Sequence, residues 1–230
     1  MTHAKGYIAI DMTTTQAQLE KDLFPRWKEA HSQIATDPAL RTILIKEKSV
    51  QLSLDQLPQL DGFTPDGAIG RNGKPISVLY MLKESNSSHD ASSTKPDFFW
   101  FRYEAENDGT HKITHRIRMI QKIITGNPSL ETATFINLNK CGNGPKSSMA
   151  KLRNYTSLPT IRKLIAEEIQ LLDPAIIICC GANTAQIVSN IIDSTASDRI
   201  IPMAHPSCRY SNEKYEREFA VKWVAFCAAQ

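Results

Sequence analysis

This 230-residue sequence has no long hydrophobic run and no cysteines at C-x-x-C spacing. Apolar runs such as residues 175–180 are far too short to cross a bilayer. Residues 1–6 lack the apolar core of a signal peptide. The five cysteines are an odd number without C-x-x-C spacing, and the adjacent pair Cys179 and Cys180 sits in a strand-like run. We therefore expect buried structural thiols in a reducing compartment, the cytoplasm, and no membrane partner.

Motifs for nucleotide and metal chemistry are also missing. The sequence has no phosphate-binding loop of the Walker type and no cluster of carboxylates suited to magnesium. It contains no internal repeat and no low-complexity tract. These absences argue against phosphoryl transfer, and we expect neither a metal nor an organic cofactor.

Positive charge is concentrated in one stretch of the chain. The net charge is only +3, but residues 111–163 contain ten lysines or arginines and a single acid, Glu131. A basic stretch inside an otherwise acidic protein favours a surface that faces a polyanion. The alternative is a solvated basic face whose charge is balanced by acids from elsewhere in the fold.

Strand-like and helix-like segments alternate from residue 75 onwards. The expected strands span residues 76–82, 132–138, 175–180 and 199–203, and the expected helices span 15–35, 113–124, 158–172, 181–192 and 212–228. Such alternation predicts a parallel sheet with helices on both faces. The predicted fold is a three-layer α/β/α sandwich with a central four-stranded parallel sheet. An N-terminal helical extension, residues 1–70, would pack on an α/β domain formed by residues 71–230.

Chemically useful side chains follow three of the four expected strands. The segments are LKESNSSHD (82–90), NLNKCGNG (137–144) and HPSCRY (205–210). Ligands of open parallel sheets bind beyond the carboxyl ends of the strands. We therefore expect a carboxylate, amides, a lysine and a histidine to meet on one rim of the sheet.

These segments resemble the uracil-DNA glycosylase superfamily over roughly residues 75–228. The matching features are a strand followed by Glu84 in LKESN, a strand ending INLNKC, the run LDPAIIICCGANTAQ, and HPS after the last strand. The resemblance implies hydrolysis of an N-glycosidic bond in DNA, with the target base flipped out of the helix. We also expect a monomer whose partner is DNA and which needs no cofactor.

The resemblance also implies a role for each residue of the site. Glu84 would position water and stabilise the sugar cation, and His205 would donate to the anionic oxygen of the departing base. Asn137 would pair with the edge of the base, and an aromatic ring, Phe98 or Phe99, would stack on it. Ser85 and Asn86 would also line the base pocket. The expected DNA contacts are Asn139, Lys140, Lys146, Arg153, Ser207 and Arg209.

Each of these residues also has an ordinary structural interpretation. Glu84 could pair with Lys83, His205 could bond a carbonyl group, and Asn137 could cap a turn. The aromatic run at 98–101 could be core packing. We favour the functional interpretation because unrelated structural roles would not bring all these residues to one rim.

Two departures from the family pattern bear on the substrate. Only Cys141 matches a cluster-ligand position of the iron–sulfur branches, which argues against a cluster. Small polar residues, 85–88, follow Glu84 where other members place a bulky residue that excludes a pyrimidine with a C5 substituent. The sequence thus favours a C5-modified cytosine, as in the antiviral branch that excises modified bases from phage DNA. A uracil-DNA glycosylase of base excision repair and a non-catalytic nucleic-acid-binding module remain the alternatives.

Overall fold

The computed structural model describes residues 19–40, 68–69, 75–76, 78–86, 112–129, 133–143, 149–192 and 194–230. A short antiparallel pair, β1 (Ala68–Ile69) and β2 (Pro75–Ile76), precedes the main sheet. The main sheet contains β3 (Val78–Asn86), β4 (Ala133–Asn143), β5 (Ile176–Cys180) and β6 (Ile200–Met203). All its pairings are parallel and its order is β4-β3-β5-β6.

The strands are apolar because helices cover both faces of the sheet. All five residues of β5, Ile-Ile-Ile-Cys-Cys, are buried. A strand buried on both faces has a continuous apolar sequence instead of an alternating one. This explains why the sheet could be predicted from short apolar runs.

The helices form two layers around the sheet. They are α1 (Phe24–Thr36), α2 (Lys112–Thr125), α3 (Met149–Ser157), α4 (Pro159–Leu172), α5 (Thr184–Ser189), α6 (Ser194–Ser197) and α7 (Asn212–Ala228). One core cluster joins α1, α3, α4 and α5 to the sheet face that carries Leu79 and Met81. The other joins α2 and α7 to the face that carries Val78 and Tyr80. The predicted three-layer α/β/α fold with a four-stranded parallel sheet is confirmed.

The N-terminal helix belongs to the first of these layers. Leu23, Trp27, Ala30 and Ile34, which the sequence spaces at helical intervals, are buried in the core cluster. A π-helical turn, Leu19–Leu23, precedes α1. Pro25 lies in the first turn of α1, where the backbone N–H that proline lacks is not needed. Pro25 therefore marks the start of a helix within the expected range 15–35. The predicted domain boundary near residue 70 lies outside the described residues.

Several elements differ from the expected bounds. Strand β4 continues five residues beyond the predicted end at Leu138, and β3 continues to Asn86. The helix expected over 181–192 is only the six residues of α5. Helix α3 and the β1–β2 pair were not predicted. In the described part of the chain, no helix is long and apolar enough to span a membrane.

Candidate active site

The carboxyl ends of the parallel strands bring the predicted site segments to one rim of the sheet. Strand β3 pairs with β4 so that Leu82 lies beside Asn137 and Glu84 lies beside Asn139. The pairing becomes irregular between Glu84 and Asn86, as in a β-bulge. Bulges are common next to active sites because they redirect the strand.

The sheet register places Glu84 and His205 at the same height along the strands. Met81 pairs with Cys179, and Glu84 follows Met81 by three residues. Cys180 pairs with Met203, and His205 follows Met203 by two residues. Both positions therefore extrapolate to the level of Ala182, just beyond the end of β5. Since β5 lies between β3 and β6, the two backbones are about two strand spacings, or roughly 10 Å, apart. A flipped base and its sugar fit such a span.

Asn137 and Asn139 are polar residues held inside the protein at the end of β4. Their exposed fractions are 6% and 4%. In the strand they alternate with buried Leu138, and the residue two before Asn137 is Phe135, which stacks on Tyr80 at a centroid distance of 5.3 Å. A buried amide is held in place by its hydrogen bonds, so both side chains have defined positions at the end of β4.

His205 is half-buried and belongs to a tight turn. Its carbonyl oxygen accepts from the backbone N–H of Cys208 at 2.8 Å. Ring atom Nδ1 accepts from the backbone N–H of Ser207 at 3.2 Å and lies 2.7 Å from the Ser207 hydroxyl oxygen. Because an amide N–H can only donate, Nδ1 must carry a lone pair in this turn. The geometry assigns the neutral ring's proton to Nε2, which makes Nε2 the hydrogen-bond donor.

The end of β5 supports the other side of the imidazole. Gly181 has a φ of +118°, in the region that favours glycine, and its N–H donates to the carbonyl oxygen of Met203 at 2.8 Å. A Cβ atom on Gly181 would lie 3.9 Å from both Cβ and Cδ2 of His205. A side chain at position 181 would thus meet the histidine at van der Waals distance.

Three residues that the sequence analysis did not single out hold the histidine turn. The buried Tyr215 hydroxyl donates to the carbonyl oxygen of Ala204 at 3.0 Å. Burial raises the pKa of Tyr215, so the phenol stays protonated and remains a donor. Lys112 Nζ donates to the carbonyl oxygen of Cys208 at 2.7 Å, and Arg116 binds several carbonyl groups of the same turn. The sequence did contain a signal for Arg116, because this charged residue lies among the regularly spaced apolar residues of α2.

Part of the predicted site cannot be compared with the structure. Phe98, Phe99 and Lys146 lie outside the described residues. The backbones of Glu84, Ser85, Asn86 and Lys140 belong to β3 and β4, but their side chains lie outside the described part of the structure. For these residues the sequence prediction stands as a prediction.

The predicted DNA contacts divide between two regions. Ser207 and Arg209 are exposed in the turn after His205, whereas Arg153 is exposed on α3. Helix α3 packs in the layer of Leu79 and Met81, on the sheet face away from α2 and α7. The basic stretch 111–163 therefore contributes charge to both helix layers instead of one continuous surface.

Within the described ranges, no group of three or more histidine, cysteine, aspartate or glutamate side chains could hold a metal ion. Cys179 and Cys180 are buried thiols in the sheet. Burial raises the pKa of Cys180 to about 12, and raises the pKa of Cys179 further. These two cysteines have the environment of structural residues, as the sequence indicated.

Comparison of the chain with protein-family models and with curated protein sequences gives no match in either case. The interpretation of the site therefore depends on its own residues and geometry.

Proposed function

We propose that the protein is a monofunctional DNA glycosylase of the uracil-DNA glycosylase type, which removes a flipped-out C5-modified cytosine. The proposed role is defence against phages with modified DNA, in the cytoplasm where that DNA is replicated. The observation that carries the proposal is the hydrogen bond to Nδ1 of His205, which determines where the neutral ring holds its proton. Its Nδ1 accepts from a main-chain amide, so the proton of the neutral ring is on Nε2, and Nε2 is the atom that donates.

A donor at this place suits the charge that develops in the reaction. When the bond between C1′ and N1 breaks, its electron pair leaves with the base, and much of the negative charge collects on O2. A fixed neutral donor stabilises that oxygen more in the transition state than in the bound substrate. Such a contact lowers the barrier without tightening the ground-state complex.

Glu84 is suited to stabilising the positive charge that develops on the sugar. Its backbone lies at the same height of the sheet as that of His205. As the base departs, C1′ becomes electron-poor, and a carboxylate stabilises this oxocarbenium-like sugar. Water then forms the new bond to C1′ and gives up a proton, which Glu84 accepts and the departed base anion ultimately takes. The products are the free base and a DNA strand with an abasic sugar.

Asn137 is suited to binding the edge of the base. Its side chain is at the rim next to Leu82 of β3 and is almost fully buried. In one amide orientation its oxygen accepts from the cytosine amino group and its NH₂ group donates to N3; the flipped orientation serves uracil. Asn137 thus selects a pyrimidine, and the small polar residues after Glu84 favour a substituent at C5.

The test is base release from a matched panel of DNA oligonucleotides, each both single- and double-stranded. The target position holds uracil, cytosine, 5-methylcytosine, 5-hydroxymethylcytosine or its glucosylated form. Alkali-labile breaks report abasic sites, and mass spectrometry identifies the released base. The His205→Ala protein, purified in parallel, controls for contaminating glycosylases.

We expect release of a C5-modified cytosine to be fastest. Faster release of uracil would instead indicate a repair enzyme. Binding without release from any oligonucleotide would indicate a non-catalytic module and would overturn the proposal.

A further inference from the structure

Arg116 is a fully buried cation on a helix whose other buried residues are uncharged. Its exposed fraction is 0%, and it lies on α2 beside Ile117 and one turn before Ile120. Burying a guanidinium group is costly unless its donors are satisfied. A protein retains such a residue only where its contacts compensate for that cost.

The compensation comes almost entirely from the turn that follows His205. Atom Nη1 donates to the carbonyl oxygens of Pro206 and Cys208 at 2.9 and 3.0 Å. Nη2 donates to the carbonyl oxygen of Tyr210, and Nε donates to Oδ1 of Asn212 at 3.1 Å. One guanidinium group therefore binds three alternate carbonyl groups of the turn and the first residue of α7.

The positive charge of Arg116 lies over an aromatic ring. Among the described residues, its guanidinium group contacts carbonyl, amide, thiol and ring groups and no carboxylate. The Tyr215 ring lies beneath it, with the centroid 4.7 Å from Cζ. A cation over an aromatic face is stabilised without loss of its net charge. The turn thus has a positive charge on its inner side.

We infer that Arg116 is the positioning residue for His205 and that it also makes the turn favourable to an anion. This inference rests on the proposed glycosylase function. By binding the carbonyl oxygens of Pro206, Cys208 and Tyr210 from inside, Arg116 keeps three acceptor groups away from the outer surface of the turn. That surface would otherwise repel the anionic oxygen of a departing base. The bond to Pro206 also fixes the backbone directly after the histidine.

Lysine cannot reproduce these contacts. The guanidinium group is a planar fork whose donors point in fixed directions, whereas an ammonium group is a compact point charge. The Arg116→Lys variant therefore keeps the charge and loses part of the geometry. Arg116→Met loses both. Lys122→Met is the matched control, because Lys122 is an exposed cation on the same helix.

The first experiment measures base release in single turnovers at saturating concentrations of the most reactive oligonucleotide of the panel. For Arg116→Lys we expect release to slow by about tenfold or more, since small displacements of a catalytic group are costly, while the dissociation constant for DNA changes by less than threefold. Lys122→Met should match the parent protein. Parental release by Arg116→Lys would overturn the inference.

The second experiment needs no catalysis. Long-range ¹H–¹⁵N spectra give the tautomer of His205, and hydrogen exchange followed by mass spectrometry gives the protection of residues 204–210. In Arg116→Lys we expect mixed tautomers and faster exchange of this turn, with circular dichroism unchanged. Unchanged spectra and exchange would overturn the inference, whether or not the parent protein releases a base. If the parent protein releases no base but the spectra and exchange change as expected, only the glycosylase proposal fails. If Arg116→Met does not fold, Arg116→Lys decides the result.

Discussion

Gly181 and His205 lie side by side across the ends of neighbouring strands: a Cβ atom on the glycine would lie 3.9 Å from Cδ2 of the imidazole. The same Cβ would lie 3.3 Å from the hydroxyl oxygen of Thr184. The φ of Gly181, +118°, is one that residues with a side chain rarely adopt. The glycine therefore determines how closely the histidine approaches the end of β5.

Gly181→Ala should damage both stability and the site. The strained backbone costs on the order of 1–3 kcal/mol, and relief of the strain would displace His205 and slow base release. Urea unfolding and single-turnover assays measure the two effects. Gly126→Ala is a matched control, because Gly126 also has a positive φ, 81°, but lies at the end of α2. Equal rates of base release in the two variants would contradict the proposed packing.

The thiols of Cys179 and Cys180 should be inert in the folded protein. Burial raises the pKa of Cys180 to about 12, so almost no reactive thiolate exists at pH 8. Brief alkylation at pH 8, followed by peptide mass spectrometry, should label the exposed Cys227 and leave the peptide with residues 179–180 unmodified. Labelling of both peptides should become equal in denaturant. Comparable labelling of the folded protein would show that the sheet opens readily.

The basic stretch should make DNA binding sensitive to salt. Contacts with phosphates release counterions, so the dissociation constant should rise steeply with salt concentration. Charge reversal at Lys140, Lys146 or Arg153 should weaken binding to all DNA sequences about equally. Lys21→Glu is the control, since Lys21 precedes α1 and lies outside this stretch. Salt-independent binding, or equal loss in the control, would identify the stretch as a solvated face.

The sequence predicted the elements that depend on local pattern. Apolar runs located β5 and β6, and the spacing of Leu23, Trp27, Ala30 and Ile34 located α1. It did not predict the end of β4, because residues 139–143 are polar and are extended only through their pairing with β3. Helix α3 was missed because only Leu152 and Tyr155 among its nine residues are apolar and fully buried.

The residues that hold the histidine turn could not be predicted either, because their contacts are distant in sequence. Arg116 is 90 residues before Pro206 in the chain. Its role follows only from the packing of α2 beside α7, which no local pattern encodes. The candidate site residues were recognisable because each lies at or just beyond the predicted end of a strand of the parallel sheet. Residues that position them act across the fold.

The central claim is that His205 and Glu84 share one catalytic site, and single-turnover base release tests it most directly. His205→Ala and Glu84→Gln are compared with the parent protein on its best oligonucleotide at saturating concentration. We predict that each variant binds DNA as the parent does and releases the base on the order of a hundredfold more slowly, as for other oxyanion donors and charge-stabilising groups. Near-parental rates in both variants would contradict the account.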